Sequence, residues 1–397
     1  MQMSQKVKIY NGKIITPYRI IPSGSILISG ESIVAISESN IEVADAIEID
    51  ARGKYISPGF IDIHIHGGGG ADFMDGSETA FSQIATTHLQ YGTTAMVPTT
   101  LTSDKESLLC TLDLFEKQRH KKSKGAQLLG MHLEGPYFAL SQRGAQDPRY
   151  IRDPDPSEYE AIVASSKHCI KRWSAAPELK GALAFGRYMH QHGILPALAH
   201  TDAIYEEVLA GFENGYTLAT HLYSGMSGVS RRNGYRYAGA IESALLINEM
   251  DVELIADGVH LPAPLLKLVY KIKGPDRIAL ITDAMRGAGM PEGESILGSI
   301  HNGLKVIIED GVAKLPDRTA FAGSVATTDR LVRTMVQLAD VSISDAVKMM
   351  TATPARIMRV DNKKGSLMVG KDADIVIFDD NINIDTVMVK GEVLVSK

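Results

Sequence analysis

Eight apolar runs, each about strand length and separated by amphipathic stretches of helix length, constrain this chain more than any other feature. They are FIDIHIH (60–66), TTAMVPT (93–99), AQLLGMHLE (126–134), IKRWSAAPE (170–178), ILPALAH (194–200), YTLATH (216–221), VELIAD (252–257) and RIALITD (277–283). Between them, segments such as SETAFSQIATTHLQ and SDKESLLCTLDLFEKQ carry apolar residues at helical spacing. Eight such units in about 300 residues are the arithmetic of an α/β fold, the (β/α)8 TIM-like barrel. A doubly wound open sheet is the competing arrangement. Its usual glycine-rich first turn is missing, and its polar residues would fall elsewhere.

The two ends read differently. Residues 1–57 alternate short β-type runs with turn signals: VKIYNGKII, GSILISGESIVAIS and AIEIDARGKYISP, joined at Asn11-Gly12, Ser29-Gly30 and Arg52-Gly53. Residues 358–397 return to that style in GSLMVGKDADIVIFD and TVMVKGEVLVS. Neither end has enough strands to bury both faces of a sheet. The expectation is one small β-sandwich built from 1–57 and 358–397, beside a barrel over 58–357.

Composition narrows the partners. A formal charge of −6 argues against general binding to nucleic acid or an anionic membrane, while leaving room for a local basic pocket. The N-terminal MQMSQKVKIYNGKIITP lacks the apolar core of a signal peptide, and no run of eighteen apolar residues suggests a membrane span. Cys110 and Cys169 are too few and too distant for a disulfide framework or a CxxC zinc site, which fits a reducing cytoplasm.

What ends the runs carries the chemistry. His64 and His66 close the first, Glu134 the third, His200 the fifth, His221 the sixth and Asp283 the eighth. In a barrel those ends face the active-site mouth, so residues remote in sequence converge there. His64 and His66 stand two apart on a strand and share a face. Imidazole and carboxylate donors together suit a divalent ion such as zinc, cobalt or iron. Satisfied core histidines would have no reason to recur at that register.

In order along the chain, PGFIDIHIHG, GMHLEGPY, LAHTDA, ATHLYSGM, IADGVH, ITDA and FAGS resemble the N-acetylglucosamine-6-phosphate deacetylases of the amidohydrolase superfamily. The resemblance covers nearly the whole chain. It implies a barrel with a β-sandwich, a homodimer, and hydrolysis of an acetamide to acetate and a hexosamine 6-phosphate. Glu134, His200 and His221 match the family's constant metal ligands. His64 and His66 match the first-strand pair that supports a second ion in some members, so one or two ions per subunit are expected, zinc first, iron or cobalt as alternatives. Asp283 matches the catalytic carboxylate at the metal: it accepts the proton of the attacking water and returns it to the leaving amine.

Substrate contacts follow from the same resemblance. Arg232, within THLYSGMSGVSRRNGYRY, matches a phosphate-binding arginine that reaches into the neighbouring subunit's site; guanidinium forks suit phosphate oxygens. His260 matches a substrate-contacting histidine, with Asp257 orienting or capping its loop. Ala145 and Gln146 match one substrate loop, and Phe321, Ala322 and Gly323 another, beside the acetyl group. Ser224 and Gly225 stand where the family usually has Asn-Ala; the shorter donor and the looser loop soften the expected grip on phosphate. Gly67 to Gly70 lack a P-loop lysine and read as a freed loop beside the metal. His132 reads as either a supporting or a packed histidine. His88, His120, His168, His190, His192 and His301 read as surface or packing, and KQRHKKSK (117–124) as a solvated helix end.

Three other readings compete. One keeps the fold and changes the sugar to N-acetylgalactosamine 6-phosphate or another N-acyl hexosamine phosphate. A second is a cyclic-amide hydrolase such as a dihydroorotase, where a lysine on the fourth strand commonly bridges two metals. The third is a catalytically silent metal-binding regulator, which would be free to lose Asp283.

Overall fold

The computed structural model describes residues 5–121 and 124–397, with Arg232 described as backbone only. The eight runs form parallel strands: Phe60–Ile65, Thr93–Thr100, Met131–Glu134, Ile170–Ala175, Leu195–Leu198, Leu218–Ala219, Asp251–Leu254 and Ile278–Leu280. Each pairs with the next in chain order. The ring closes just beyond the eighth strand, where the Asp283 N–H donates to the His64 carbonyl and the His66 N–H to the Ala284 carbonyl, both at 2.9 Å. The barrel expectation holds.

Helices cover the outside because their spacing and their caps agree. Ser77 caps Glu78–Leu89, a helix that buries Phe81, Ile84 and Leu89. Asp104 caps Lys105–Gln118, its carboxylate accepting from the Ser107 N–H at 2.8 Å, and Leu108, Leu112 and Phe115 face inward. Burying each such side chain stabilises by about 1.5–3 kcal/mol.

Both termini meet in one mixed sheet, as their β-rich composition suggests. Ile375–Phe378 pairs antiparallel with Tyr55–Pro58, which pairs in parallel with the long strand Lys6–Ile15. Ile9, Ile14, Ile26, Ile56, Ile375 and Met388 share its buried cluster. The expected turn at Asn11-Gly12 is corrected: Lys6–Ile15 runs through it as one strand with an irregularity there. Asn11 takes φ 57°, and a Cβ on Gly12 would meet Ile56 Cδ1 at 2.6 Å. The pair therefore bends one strand under the sheet's own packing.

A three-stranded antiparallel insert, Gly293–Leu297, Leu304–Glu309 and Val312–Lys314, follows the eighth strand. Arg286 fastens it beside the barrel mouth, donating to the Gly298 and Gly70 carbonyls at 2.8 Å and pairing with Asp75.

Candidate active site

The six ligand-type residues converge at the carboxyl ends of their strands. His221 Nε2 lies 2.9 Å from Glu134 Oε1, and His200 Nε2 lies 3.4 Å from the same oxygen. His66 Nε2 lies 3.4 Å from Glu134 Oε2 and 3.1 Å from Asp283 Oδ1. His64 Nε2 is 3.5 Å from both carboxylates. Two overlapping triads result, His64–His66–Glu134 and Glu134–His200–His221, each with its donor atoms within 4.8 Å of one another. Glu134 belongs to both.

Local backbone conformation aims these groups. His200, His221 and Asp283 occupy the left-handed region, at φ 45°, 29° and 48°. Such residues cost about 1–3 kcal/mol each and persist where surrounding structure over-determines them. His200 Nδ1 is held by the Gln142 carbonyl at 2.8 Å, and the Ser324 N–H donates to the Asp283 carbonyl at 2.8 Å.

The donor set fits a cation. With His64 Nδ1 facing Glu253 at 3.4 Å and His66 Nδ1 facing the Thr99 carbonyl at 3.3 Å, both Nε2 atoms turn inward as acceptors. They lie only 3.3 Å apart and also face two carboxylates, so acceptors meet acceptors. Burial alone pulls His64 down, but the Glu134 and Asp283 charges override it and hold it up to about 9. Burial pushes Glu134 up, yet the His64 charge and the His200 and His221 hydrogen bonds keep it well below the usual carboxylate range. The centre of the cluster calls for positive charge, supplied by protons or by an ion.

A cleft of about 310 Å3 opens above this cluster. Ala145, Gln146, Ser224, Gly225, His260, Phe321 and Gly323 line it, as do His66, Glu134, His200, His221 and Asp283. His64 lies just beneath. Ala322 is displaced from the expected contact set: its side chain is fully buried in the insert's apolar cluster with Met285 and Val306. The Arg232 side chain lies outside the described residues; its backbone forms an exposed hairpin with Tyr235–Tyr237.

Gln146 does more than line the cleft. Its amide N–H donates to Glu134 Oε2 at 2.7 Å, while its oxygen accepts from the Thr102 N–H at 2.9 Å and hydroxyl at 2.7 Å. Asp257 accepts from His260 Nδ1 at 2.8 Å, which leaves Nε2 available to the cleft. Gly225 sits tight against its neighbours: a Cβ there would meet His200 Nδ1 at 2.6 Å and the Gln142 carbonyl at 2.8 Å. A loosened loop is therefore not what this glycine provides; it makes room for the bond that orients His200.

His88 is a packing residue, buried behind the glycine loop and donating from Nε2 to the Gly67 carbonyl at 3.0 Å. Burial pushes its imidazole down to about 4, so it is neutral near pH 7. A Cβ on Gly68 would strike His88 Nε2 at 2.4 Å. Gly68→Ala is expected to destabilise the protein by about 1–3 kcal/mol, the usual cost of overpacking. Urea unfolding reads this, and an unchanged midpoint would show that the loop has room.

The amidohydrolase family model matches residues 55–394. The chain belongs to the amidohydrolase family. This amidohydrolase is 33% identical over 339 residues to N-acetylgalactosamine-6-phosphate deacetylase of Escherichia coli O157:H7, covering 85% of this chain and 87% of that one. It is 32% identical over 369 residues to N-acetylglucosamine-6-phosphate deacetylase of Lysinibacillus sphaericus, covering 91% of each. Among solved structures it superposes on a mutant N-acetyl-D-glucosamine-6-phosphate deacetylase from Mycobacterium smegmatis in complex with N-acetyl-D-glucosamine-6-phosphate. That match has TM-score 0.91, 28% identity, and covers 99% of this chain and 100% of that one.

Beneath the amidohydrolase cluster lies a polar layer of which sequence reasoning had singled out only His132. Asp62 accepts from the Thr282 hydroxyl and from the backbone N–H groups of Thr282 at 3.2 Å and His64 at 3.3 Å; burial still raises its carboxyl to about 7. His132 bonds Ser174 Oγ at 2.7 Å and Thr99 Oγ1 at 3.3 Å, so it supports rather than faces the cleft. Arg172 and Glu253, both fully buried, pair at the barrel centre. The available signal was a charge inside an apolar strand run, since such residues are almost never fully buried without a partner.

Proposed function

We propose that this protein hydrolyses the acetamide of N-acetyl-D-glucosamine 6-phosphate to D-glucosamine 6-phosphate and acetate. The observation that carries the reading is Asp283: a buried carboxylate on the cleft wall, 3.1 Å from His66 and beside Glu134, on a chain whose curated relatives are sugar-phosphate deacetylases. One or two divalent ions serve it, zinc first, with iron or cobalt as alternatives. Glu134, His200 and His221 would hold one, and His64, His66, Glu134 and Asp283 the other. A divalent ion bound there would supply Lewis acidity, lowering the pKa of a water to about 7 and polarising the amide carbonyl.

The chain's own groups do the rest. Asp283 accepts the proton of the attacking water as the C–O bond forms. It then gives that proton to the sugar nitrogen as the C–N bond breaks, because an amine leaves poorly unless protonated. His260 contacts the sugar through Nε2, held in that tautomer by Asp257. Ala145, Gln146, Ser224, Gly225, Phe321 and Gly323 border the substrate. Arg232 takes the phosphate from the neighbouring subunit of a homodimer, a role suited to an exposed hairpin whose Tyr235 is 74% exposed. The free Cys110 and Cys169 suit a cytoplasmic setting.

A galacto substrate is the second reading, favoured by one observation: the relative named for N-acetylgalactosamine 6-phosphate is as similar as those named for the gluco sugar. Acetate release from the two phosphorylated epimers and from both unphosphorylated sugars tests all of this. The gluco phosphate is expected to give the highest kcat/KM. Arg232→Ala should raise KM for the phosphorylated sugar by about 10- to 100-fold, the worth of one hydrogen bond to a charged group, and leave the unphosphorylated sugar unaffected. Equal turnover with and without phosphate would sink the phosphate assignment, and no turnover with any of the metals would favour a silent regulator.

A further inference from the structure

The four imidazoles of the cluster have differently held outer nitrogens. His66 Nδ1 faces the Thr99 carbonyl at 3.3 Å and His200 Nδ1 the Gln142 carbonyl at 2.8 Å, while His221 Nδ1 has no partner among the described residues. His64 is backed instead by a carboxylate, with Glu253 Oε2 at 3.4 Å. The same oxygen accepts the His221 backbone N–H at 3.3 Å. Arg172 grips Glu253 through both terminal nitrogens and donates further to the Thr220 hydroxyl at 2.7 Å and the Ile63 carbonyl at 3.3 Å. Both charged residues are fully buried. Well-packed apolar residues often replace a buried ion pair without loss of stability, so stability alone is a weak reason for this one. What it provides is an immobile carboxylate behind one chosen ligand.

We infer that Glu253, held by Arg172, is a positioning residue for the ion on the His64–His66 side of the cluster; this rests on the two-ion reading proposed above. A proton on His64 Nδ1, donated to Glu253, leaves the Nε2 lone pair facing Glu134 and Asp283 and makes that nitrogen a stronger donor to metal. Side chains of the other triad are oriented elsewhere, Glu134 by Gln146 and His200 by Gln142. Glu253 reaches that triad only through the His221 backbone. Although both positions share Glu134, a change at Glu253 therefore separates them.

The test is Glu253→Gln, with ions per chain measured by elemental analysis under graded chelator and with the absorption spectrum of the cobalt-substituted protein. His66→Asn marks loss of that side of the cluster. Affinity for the second ion is expected to fall by about 10- to 100-fold, as outer-sphere partners typically cost, while the first ion stays. The cobalt spectrum should move toward that of His66→Asn. Because Gln leaves Arg172 unpaired in the barrel and could unfold it, Arg172→Gln/Glu253→Gln is measured as well and should keep the deficit. Wild-type affinity for both ions in Glu253→Gln overturns the inference. So does a double variant that regains the second ion, since charge balance would then be the pair's whole role. A wild-type protein holding one ion, unaffected by His66→Asn, overturns it together with the two-ion reading; acetate release by that protein decides separately whether the deacetylase reading survives.

Discussion

Asp283→Asn is expected to lower kcat by about 10^3- to 10^4-fold while the protein keeps its fold and the ion assigned to Glu134, His200 and His221. General acid–base groups typically contribute about 10^2–10^4, and in the proposed mechanism Asp283 serves both halves of the reaction, so the upper part of that range applies. The fold should survive because the backbone of residue 283 is held by its own bonds, N–H to the His64 carbonyl at 2.9 Å and carbonyl to the Ser324 N–H at 2.8 Å. Asparagine matches the carboxylate in shape and tolerates the left-handed φ of 48° better than most residues. That ion should persist because Glu134, His200 and His221 form a triad without Asp283. Acetate release and elemental analysis on one preparation check both halves. Near-normal turnover would mean that another group moves the proton. Loss of all metal would mean that Asp283 acts chiefly as a ligand.

The barrel and its histidine–carboxylate cluster were legible because one geometric rule connects them. Strand ends in a parallel barrel converge, so His64, His66, Glu134, His200, His221 and Asp283 could be gathered from run endings far apart in the chain. The rest depends on tertiary partners that no local pattern records. Gln146 reads as a substrate contact, yet both ends of its amide are taken by Glu134 and Thr102. Ala322 sits in a motif beside the cleft, yet its side chain turns into the insert's apolar cluster. Asn11-Gly12 has the strongest local hairpin signal, and it lost to the sheet that Lys6–Ile15 must span. The pairing of Arg172 with Glu253 spans 81 residues, and each alone looks like an interruption of an apolar run.

Glu134→Gln should have the broadest effect of any single change: near-zero metal at both positions, acetate release below about 10^-3 of wild type, and a folded protein. Glu134 is the one residue common to both triads, so neutralising it removes the carboxylate of the first and leaves the second only Asp283. His66→Asn, by contrast, should empty only the second position. Folding should survive because the substituted amide can meet the surrounding groups better than a bare carboxylate does without metal. The carbonyl of that amide can take the Gln146 N–H that Glu134 now accepts at 2.7 Å, and its N–H can donate to His221 Nε2, which lies 2.9 Å from the present carboxylate. Stability then separates the two states. A ligand present at about a thousand times its Kd stabilises the native form by about 4 kcal/mol. Chelation should therefore lower the unfolding midpoint of the wild type and leave that of Glu134→Gln where it stands. If the variant still binds metal and its midpoint still falls on chelation, Glu134 is not the shared ligand, and the two triads must draw their charge from Asp283.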